Sequence, residues 1–329
     1  MVRIAICGVG NIGKVHFGSL RSMRGCEIAG LYDTQGAPLR ELAASCGVHA
    51  YRSADDLFVD GSVDAVVIAT PSESHRELTE RALRAGKHVF VEKPLAGTLE
   101  DAQAIVEAAA MHPRQVVQAG FCERFNPQFI EAKRAADNGL LGRLRCIHSS
   151  RISPYALGNT AWELGALDTA VHNLDLIMWL LDQTPTRVFA RGVRLYPDSE
   201  ILHSITILLE FANGALVTDI ITWLSDAAHP LGHCARARMN ILGESGSFEI
   251  DLSTRPSALL TANEFREIDT VILGGDGYYG CLKLQFETFL RSIEEGSPVL
   301  APVKDAYRAE QVVLAARHSL QTGKAVEIA

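Results

Sequence analysis

The sequence predicts an α/β protein in two parts: a doubly wound parallel sheet, then an α+β domain with an open, mostly antiparallel sheet. Three observations carry this. Short Val- and Ile-rich strands alternate with helical segments up to about residue 120. A glycine-rich turn joins the first strand to the first helix. Beyond residue 120 the rhythm changes to strands of two-residue periodicity, with helices before and after them. A length of 329 residues exceeds what one hydrophobic core usually serves, which suits domains at 1–120 and 121–329.

In order, VRIAIC, EIAGLYD, VDAVVIAT, KHVFVEK and QVVQAG read as strands. They lack clean polar alternation, as strands covered on both faces do. Between them, SHRELTERALRAG reads as a helix closing on Gly86, and TLEDAQAIVEAAAMH as one starting at Thr98 with acids in its first turn. After Gly120 one helix follows Pro127, and another spans about Leu167 to Leu181. HSITILLEF and ALVTDIITW flank Asn213-Gly214, a strong hairpin signal; ARMNILGE and SGSFEIDL continue the antiparallel run.

Bulk properties narrow the function. Hydrophobic residues make up 47% and charged residues 21%, ordinary for a soluble globular protein. The net charge of −8, with scattered Lys and Arg, argues against nucleic acid as a partner. No apolar run approaches the roughly 20 residues that cross a bilayer, so no membrane association is expected. The chain opens into a strand with no signal-peptide pattern, so the cytoplasm is the expected location. Seven widely spaced cysteines, without CxxC or Cys/His metal spacing, fit a reducing compartment and no metal site.

Gly8-Val9-Gly10-Asn11-Ile12-Gly13 lies directly after a strand and opens a helix, the context in which GxGxxG has meaning. Gly8 permits the tight turn, Gly10 lets the backbone approach a pyrophosphate, and Gly13 lets the helix pack closely on the strand. Asn11 and Ile12 begin the helix, whose free N–H groups and positive dipole suit phosphate. This is the phosphate turn of a Rossmann unit. Asp33 ends the second strand, where a carboxylate accepts from ribose hydroxyls and repels a 2′-phosphate. NAD rather than NADP is therefore the expected cofactor. Thr70-Pro71 closes the third strand on the ligand side; for His75, cofactor contact and a local hydrogen bond stay equally open.

Lys93 ends the fourth strand and is fixed by Pro94. A cation at the mouth of a parallel sheet can orient a hydroxyl or stabilise an alkoxide. In the helix from Leu167, Asp168, His172, Asp175 and Trp179 fall on one stripe at about 100° per residue. Val171, Leu174, Ile177, Met178 and Leu181 fill the opposite face. A helix so apolar is buried, so its polar stripe must be paired or line a cavity. Histidine suits proton abstraction from an alcohol.

Gly8–Gly13 followed by His16, then ATPSESH, then Glu92-Lys93-Pro94, then Asp168-x-x-x-His172, strongly resemble the glucose–fructose oxidoreductase/inositol dehydrogenase/MocA family. The resemblance runs through at least residues 2–182. It implies an NAD(P)-dependent dehydrogenase acting on a hydroxyl of a sugar, cyclitol or nucleotide-linked sugar. In that reading His172 is the base, Lys93 assists proton transfer, and Asp168 binds the hydroxyl or orients His172. Glu92 and Pro94 shape the nicotinamide pocket, and Lys93–Pro94 is a candidate cis bond. Asn173 stands where many relatives have Asp; lying off the polar stripe, it is expected to have little effect on the chemistry. The string Gly120-Phe121-Cys122-Glu123-Arg124-Phe125-Asn126-Pro127 resembles that of nucleotide-linked amino-sugar dehydrogenases. Arg124, Asn126 and Arg151 are therefore candidates for substrate, with ion pairing equally open for the two arginines. Tyr155 and Trp162 are candidates to stack on a sugar or base, with ordinary packing equally open. The family resemblance further implies a homodimer or homotetramer through the second domain's sheet. Alternatives are a non-enzymatic dinucleotide-binding regulator and an NAD-dependent glycosidase of the same family.

Overall fold

The computed structural model describes residues 1–154, 166–224, 236–252, 257–261, 265–268 and 280–328. It divides into two compact units, Met1–Asn126 with Ile272–Tyr307, and Pro127–Val271 with Arg308–Ala329. In the first, strands β1 (Val2–Cys7), β2 (Cys26–Tyr32), β3 (Ala65–Ile68), β4 (His88–Val91) and β5 (Val117–Ala119) form one sheet in the order β2-β1-β3-β4-β5. Every pairing is parallel. Helices α1 (Asn11–Arg21), α2 (Gly36–Cys46), α3 (Ala54–Val59), α4 (His75–Arg84) and α5 (Leu99–Met111) connect them.

The helix signals act as read. Thr98 caps α5, its Oγ1 accepting from Asp101 N at 3.1 Å, with Glu100 and Asp101 in the first turn. Gly86, at φ 75°, ends the segment after α4 in the left-handed region that glycine tolerates. Strand order reverses between β1 and β3, so the ligand crevice of this sheet lies beyond their C-terminal ends.

The second unit begins with α6 (Pro127–Asp137), β6 (Leu144–Pro154) and α7 (Leu167–Leu181). Strands β7 (Arg187–Val193), β8 (Ser204–Glu210), β9 (Leu216–Leu224), β10 (Arg236–Gly243), β11 (Gly246–Asp251), β12 (Ser257–Thr261) and β13 (Phe265–Ile268) follow. After α8 (Cys281–Glu295) and α9 (Val303–Thr322), β14 (Val326–Glu327) completes a nine-stranded sheet. Its order is β13-β12-β11-β10-β6-β9-β8-β7-β14, antiparallel throughout except where β6 runs parallel to β9. The Asn213-Gly214 turn joins β8 to β9: Gly214 has φ 80°, and Asn213 Oδ1 accepts from Ala215 N at 2.9 Å. Along β6 and β9, Ile147, Ser149, Arg151, Val217, Asp219, Ile221 and Trp223 are buried, and their neighbours are half-buried or exposed. That alternation marks one face packed under α7 and one face open.

The division differs from 1–120 and 121–329. The first unit continues to Asn126 and takes back a later segment, because α8 carries an apolar stripe that belongs to its core. Phe286 and Phe289 are fully buried against Phe90 of β4, with ring centroids 4.7 and 6.0 Å away. Gln118 of β5 donates from Nε2 to Gln285 O at 3.0 Å.

Candidate active site

The first unit gathers its candidates at the C-terminal ends of its parallel strands. Gly8 follows β1 with φ 95°, and a Cβ there would sit 2.4 Å from Ala69 O. At Gly13 a Cβ would sit 2.0 Å from Gly8 O. Neither position admits a side chain. Gly10 is different: nothing lies within 4 Å of where its Cβ would be. The helix α1 starts at Asn11 with no side-chain cap and no acid in its first turn, and Asn11 and Ile12 are exposed. Unpaired N–H groups facing open space beside Gly10 suit a pyrophosphate. Asp33 accepts from Val9 N and Gln35 N, both at 2.7 Å, so it braces the turn and still has lone pairs for a ribose hydroxyl. These residues fit a dinucleotide.

Glu92 and Lys93 follow β4, and the Lys93–Pro94 bond is cis. Glu92 is buried, accepting from Lys93 N at 2.9 Å through Oε2 and from His16 Nε2 at 2.6 Å through Oε1. Burial pushes the carboxyl up, but the His16 hydrogen bond and charge, with Lys93, more than offset it and hold Glu92 below the ordinary carboxylate range. Glu92 thus anchors the backbone of Lys93. Sequence reasoning left the role of His16 unassigned, although a polar residue on the inner face of α1 was the available signal. Gly120 makes room for this pair, since a Cβ there would meet the Glu92 carboxylate at 2.8 Å.

His75 resolves towards local structure. It is 1% exposed, with Nε2 2.8 Å from Thr70 O and Nδ1 3.0 Å from Pro94 O and 3.2 Å from Leu95 O. It ties the Thr70-Pro71 loop to the segment after Lys93. Thr70 Oγ1 also shares a 2.7 Å hydrogen bond with Ser74 Oγ.

In the second unit α7 occupies Leu167–Leu181, as read from the helical wheel. Its apolar face is buried, and Asp175 is 1% exposed, whereas Asp168, His172 and Trp179 stay half-buried. The stripe is therefore partly open. Asn173, read as having little effect on the chemistry, is 2% exposed and a hub of hydrogen bonds. Its Oδ1 accepts from Arg151 Nε at 3.0 Å; its Nδ2 donates to Ser149 Oγ at 2.9 Å and Asp219 Oδ1 at 2.8 Å. The wheel count missed this because Asn173 faces a sheet whose inward positions are partly polar.

Arg151 is thus engaged within the fold. So is Arg124, 1% exposed, which donates to Leu300 O and Asp305 Oδ2, both at 2.9 Å. The ERFNP string does structural work through this arginine, while Asn126 is half-buried at the turn's end. Tyr155 and Trp162 lie outside the described residues.

Burial pushes the Asp219 carboxyl up to about 6, against the pull of Asn173, Ser149 and Arg151. A raised folded-state pKa favours the protonated form, so the group's contribution is complete below the unfolded value and is lost as pH rises through about 6. Wild-type stability relative to Asp219→Asn is therefore expected to rise as pH falls from about 6 to about 4, by on the order of 2–3 kcal/mol. Urea unfolding midpoints of the two proteins across that range check this; parallel curves would contradict it.

An uncapped glycine turn on a parallel sheet in one unit, and a largely buried helix with a half-buried Asp–His stripe in the other, define a two-part protein whose first unit fits a dinucleotide. Comparison with known sequences is more specific. The family model described as "Oxidoreductase family, NAD-binding Rossmann fold" matches residues 2–121, and "GFO/IDH/MocA C-terminal domain" matches residues 129–249. The chain belongs to the Gfo/Idh/MocA family of oxidoreductases. Inositol 2-dehydrogenase 2 of Saccharopolyspora erythraea is 31% identical over 342 residues, spanning 100% of this chain and 96% of that protein. Myo-inositol 2-dehydrogenase of Thermotoga maritima is 26% identical, spanning 99% and 98%. Scyllo-inositol dehydrogenase from Lactobacillus casei, solved with NAD(H) and scyllo-inositol, has a TM-score of 0.83 at 22% identity, covering 100% and 99%. UDP-N-acetylglucosamine 3-dehydrogenase from Acidithiobacillus ferrooxidans has a TM-score of 0.83 at 24% identity, covering 97% and 98%. At such identities the two solved structures establish the fold.

Proposed function

We propose that this protein is an NAD-dependent dehydrogenase that oxidises a ring hydroxyl of a cyclitol of the inositol class. The observation that carries the reading is the half-buried Asp168–His172 pair, one turn apart on a largely buried helix. The full-length similarity to inositol dehydrogenases supports the substrate class. Bound NAD would supply the hydride acceptor. It would be held by Gly8, Gly10, Asn11, Ile12, Gly13 and Asp33, with Thr70, Pro71, Glu92 and Pro94 around the nicotinamide and His75 bracing them.

In this mechanism His172 takes the proton from the reacting hydroxyl as its carbon is oxidised. Lys93 donates to the same oxygen and stabilises charge developing there. Asp168, one helical turn before His172, hydrogen-bonds the hydroxyl or orients the imidazole. Asp33 disfavours a 2′-phosphate and so selects NAD over NADP. Arg124, spent on Asp305, lends no support to a nucleotide-linked substrate. The same reading has the chain assemble as a homodimer or homotetramer through the open sheet face, where Leu216, Ile220 and Leu242 are exposed.

Reduced-cofactor formation over a panel of cyclitols, aldoses and UDP-sugars, with NAD and NADP, tests the proposal. The expected result is a kcat/KM for myo- or scyllo-inositol with NAD at least about tenfold above the other substrates. Tight NAD binding without turnover of any of them would instead indicate a regulator. Aryl-glycoside cleavage without net reduced cofactor would indicate a glycosidase.

A further inference from the structure

The helix α7 is mostly apolar and buried, with Leu176, Ile177 and Leu180 on the same side as Asn173 at about 100° per residue. Apolar burial is non-directional and by itself holds the helix's rotation loosely. Directed contacts are superimposed on it at two places. Asn173 spends both amide N–H groups and its carbonyl on Ser149, Asp219 and Arg151. One turn earlier on the same side, Thr169 Oγ1 accepts from Trp223 Nε1 at 3.2 Å. Asp219 and Trp223 are four residues apart on β9, and Ser149 pairs with Asp219 in the β6–β9 register, so the ties form one line along the sheet. Each tied residue directly follows a member of the open stripe: Thr169 follows Asp168, and Asn173 follows His172.

We infer that Asn173, with Ser149, Arg151 and Asp219, is a latch that sets the rotation of α7 and thereby aims His172, with Thr169–Trp223 as its second fastening. These are positioning residues. Arg151 is 4% exposed and Asp219 is fully buried, and the Asn173 amide bridges the two. Such a network specifies one arrangement only when every member is present. The inference rests on the dehydrogenase reading for what His172 does, while the latch itself is a property of the fold.

The test uses Asn173→Asp, Asp219→Asn, and the double variant that exchanges amide and carboxylate across the pair. Turnover of scyllo-inositol with NAD and the imidazole resonance of His172, assigned by its loss in His172→Gln, are both read. Each single variant is expected to displace that resonance and lower kcat about tenfold or more, with Kd for NAD unchanged. The exchanged pair restores the donor, the acceptors and the charge, so kcat is expected back within about threefold of wild type. A merely destabilising pair of changes would not restore it. If wild type turns over no cyclitol, the functional reading fails, and the resonance still decides the latch. Should a single variant not fold, Trp223→Phe, which removes the indole N–H of the second fastening and leaves the Thr169 Oγ1 bond to Ala166 O in place, carries the same measurement at smaller amplitude. An undisplaced His172 resonance in the singles, or losses that add in the double variant, would overturn the inference.

Discussion

Replacing His172 with alanine is expected to lower kcat/KM for scyllo-inositol by about a thousandfold, with the Kd for NAD within about twofold of wild type. An imidazole is the residue type best suited to the task, and His172 is the one histidine on the stripe. Lys93→Ala is expected to cost about a hundredfold, because an ammonium stabilises charge on the reacting oxygen without removing its proton. Its backbone position survives the substitution, for the anchor is Glu92 Oε2 on the Lys93 N–H, at 2.9 Å. The expected signature is a fall in kcat with NAD binding intact. Steady-state kinetics and a fluorescence titration of the reduced cofactor measure it. Turnover like wild type in both variants would remove the catalytic assignment.

The second large effect concerns the glycine turn, where three glycines are predicted to fail in different ways. In Gly13→Ala the new methyl would sit 2.0 Å from Gly8 O, a backbone atom that yields only if α1 moves off β1. Overpacking of this kind is expected to cost about 3 kcal/mol and to abolish cofactor binding with it. Gly8→Ala adds a positive φ of 95° to a 2.4 Å clash with Ala69 O, and is expected to fail similarly. Gly10→Ala meets nothing within 4 Å, so the melting temperature is expected to stay unchanged. Its methyl would instead occupy the approach of a pyrophosphate, and Kd for NAD should rise roughly tenfold or more. Thermal melts together with NAD titrations separate these cases. A Gly10→Ala protein binding NAD like wild type would show that the phosphates do not approach there.

Much of the first unit was legible because its signals are local. GxGxxG with its flanking strand, Thr98 before Glu100 and Asp101, and Gly86 each act within a few residues of themselves. The second unit shows where such reading stops. The strand β6 carries Arg145, His148, Ser149, Ser150 and Arg151, and its place beside β9 depends on partners distant in sequence. The return of α8 to the first unit's core is equally non-local, resting on Phe286 and Phe289 meeting Phe90. Within the site, the wheel placed Asp168 and His172 correctly on a partly open stripe. It left out the hydrogen bonds of Asn173, because a wheel describes the helix alone and not the sheet it packs on. Polar residues at inward positions of alternating strands, Ser149 and Arg151 on β6 and Asp219 between Val217 and Ile221, were the available warning.

The central claim is that the protein moves hydride from a cyclitol carbon to NAD. It is tested most directly by single turnover of myo-inositol carrying deuterium at the reacting carbon, with the mass of the reduced cofactor measured. One deuterium per reduced NAD is the predicted result. Reduced cofactor lacking deuterium, or none formed at all with NAD bound, would contradict it.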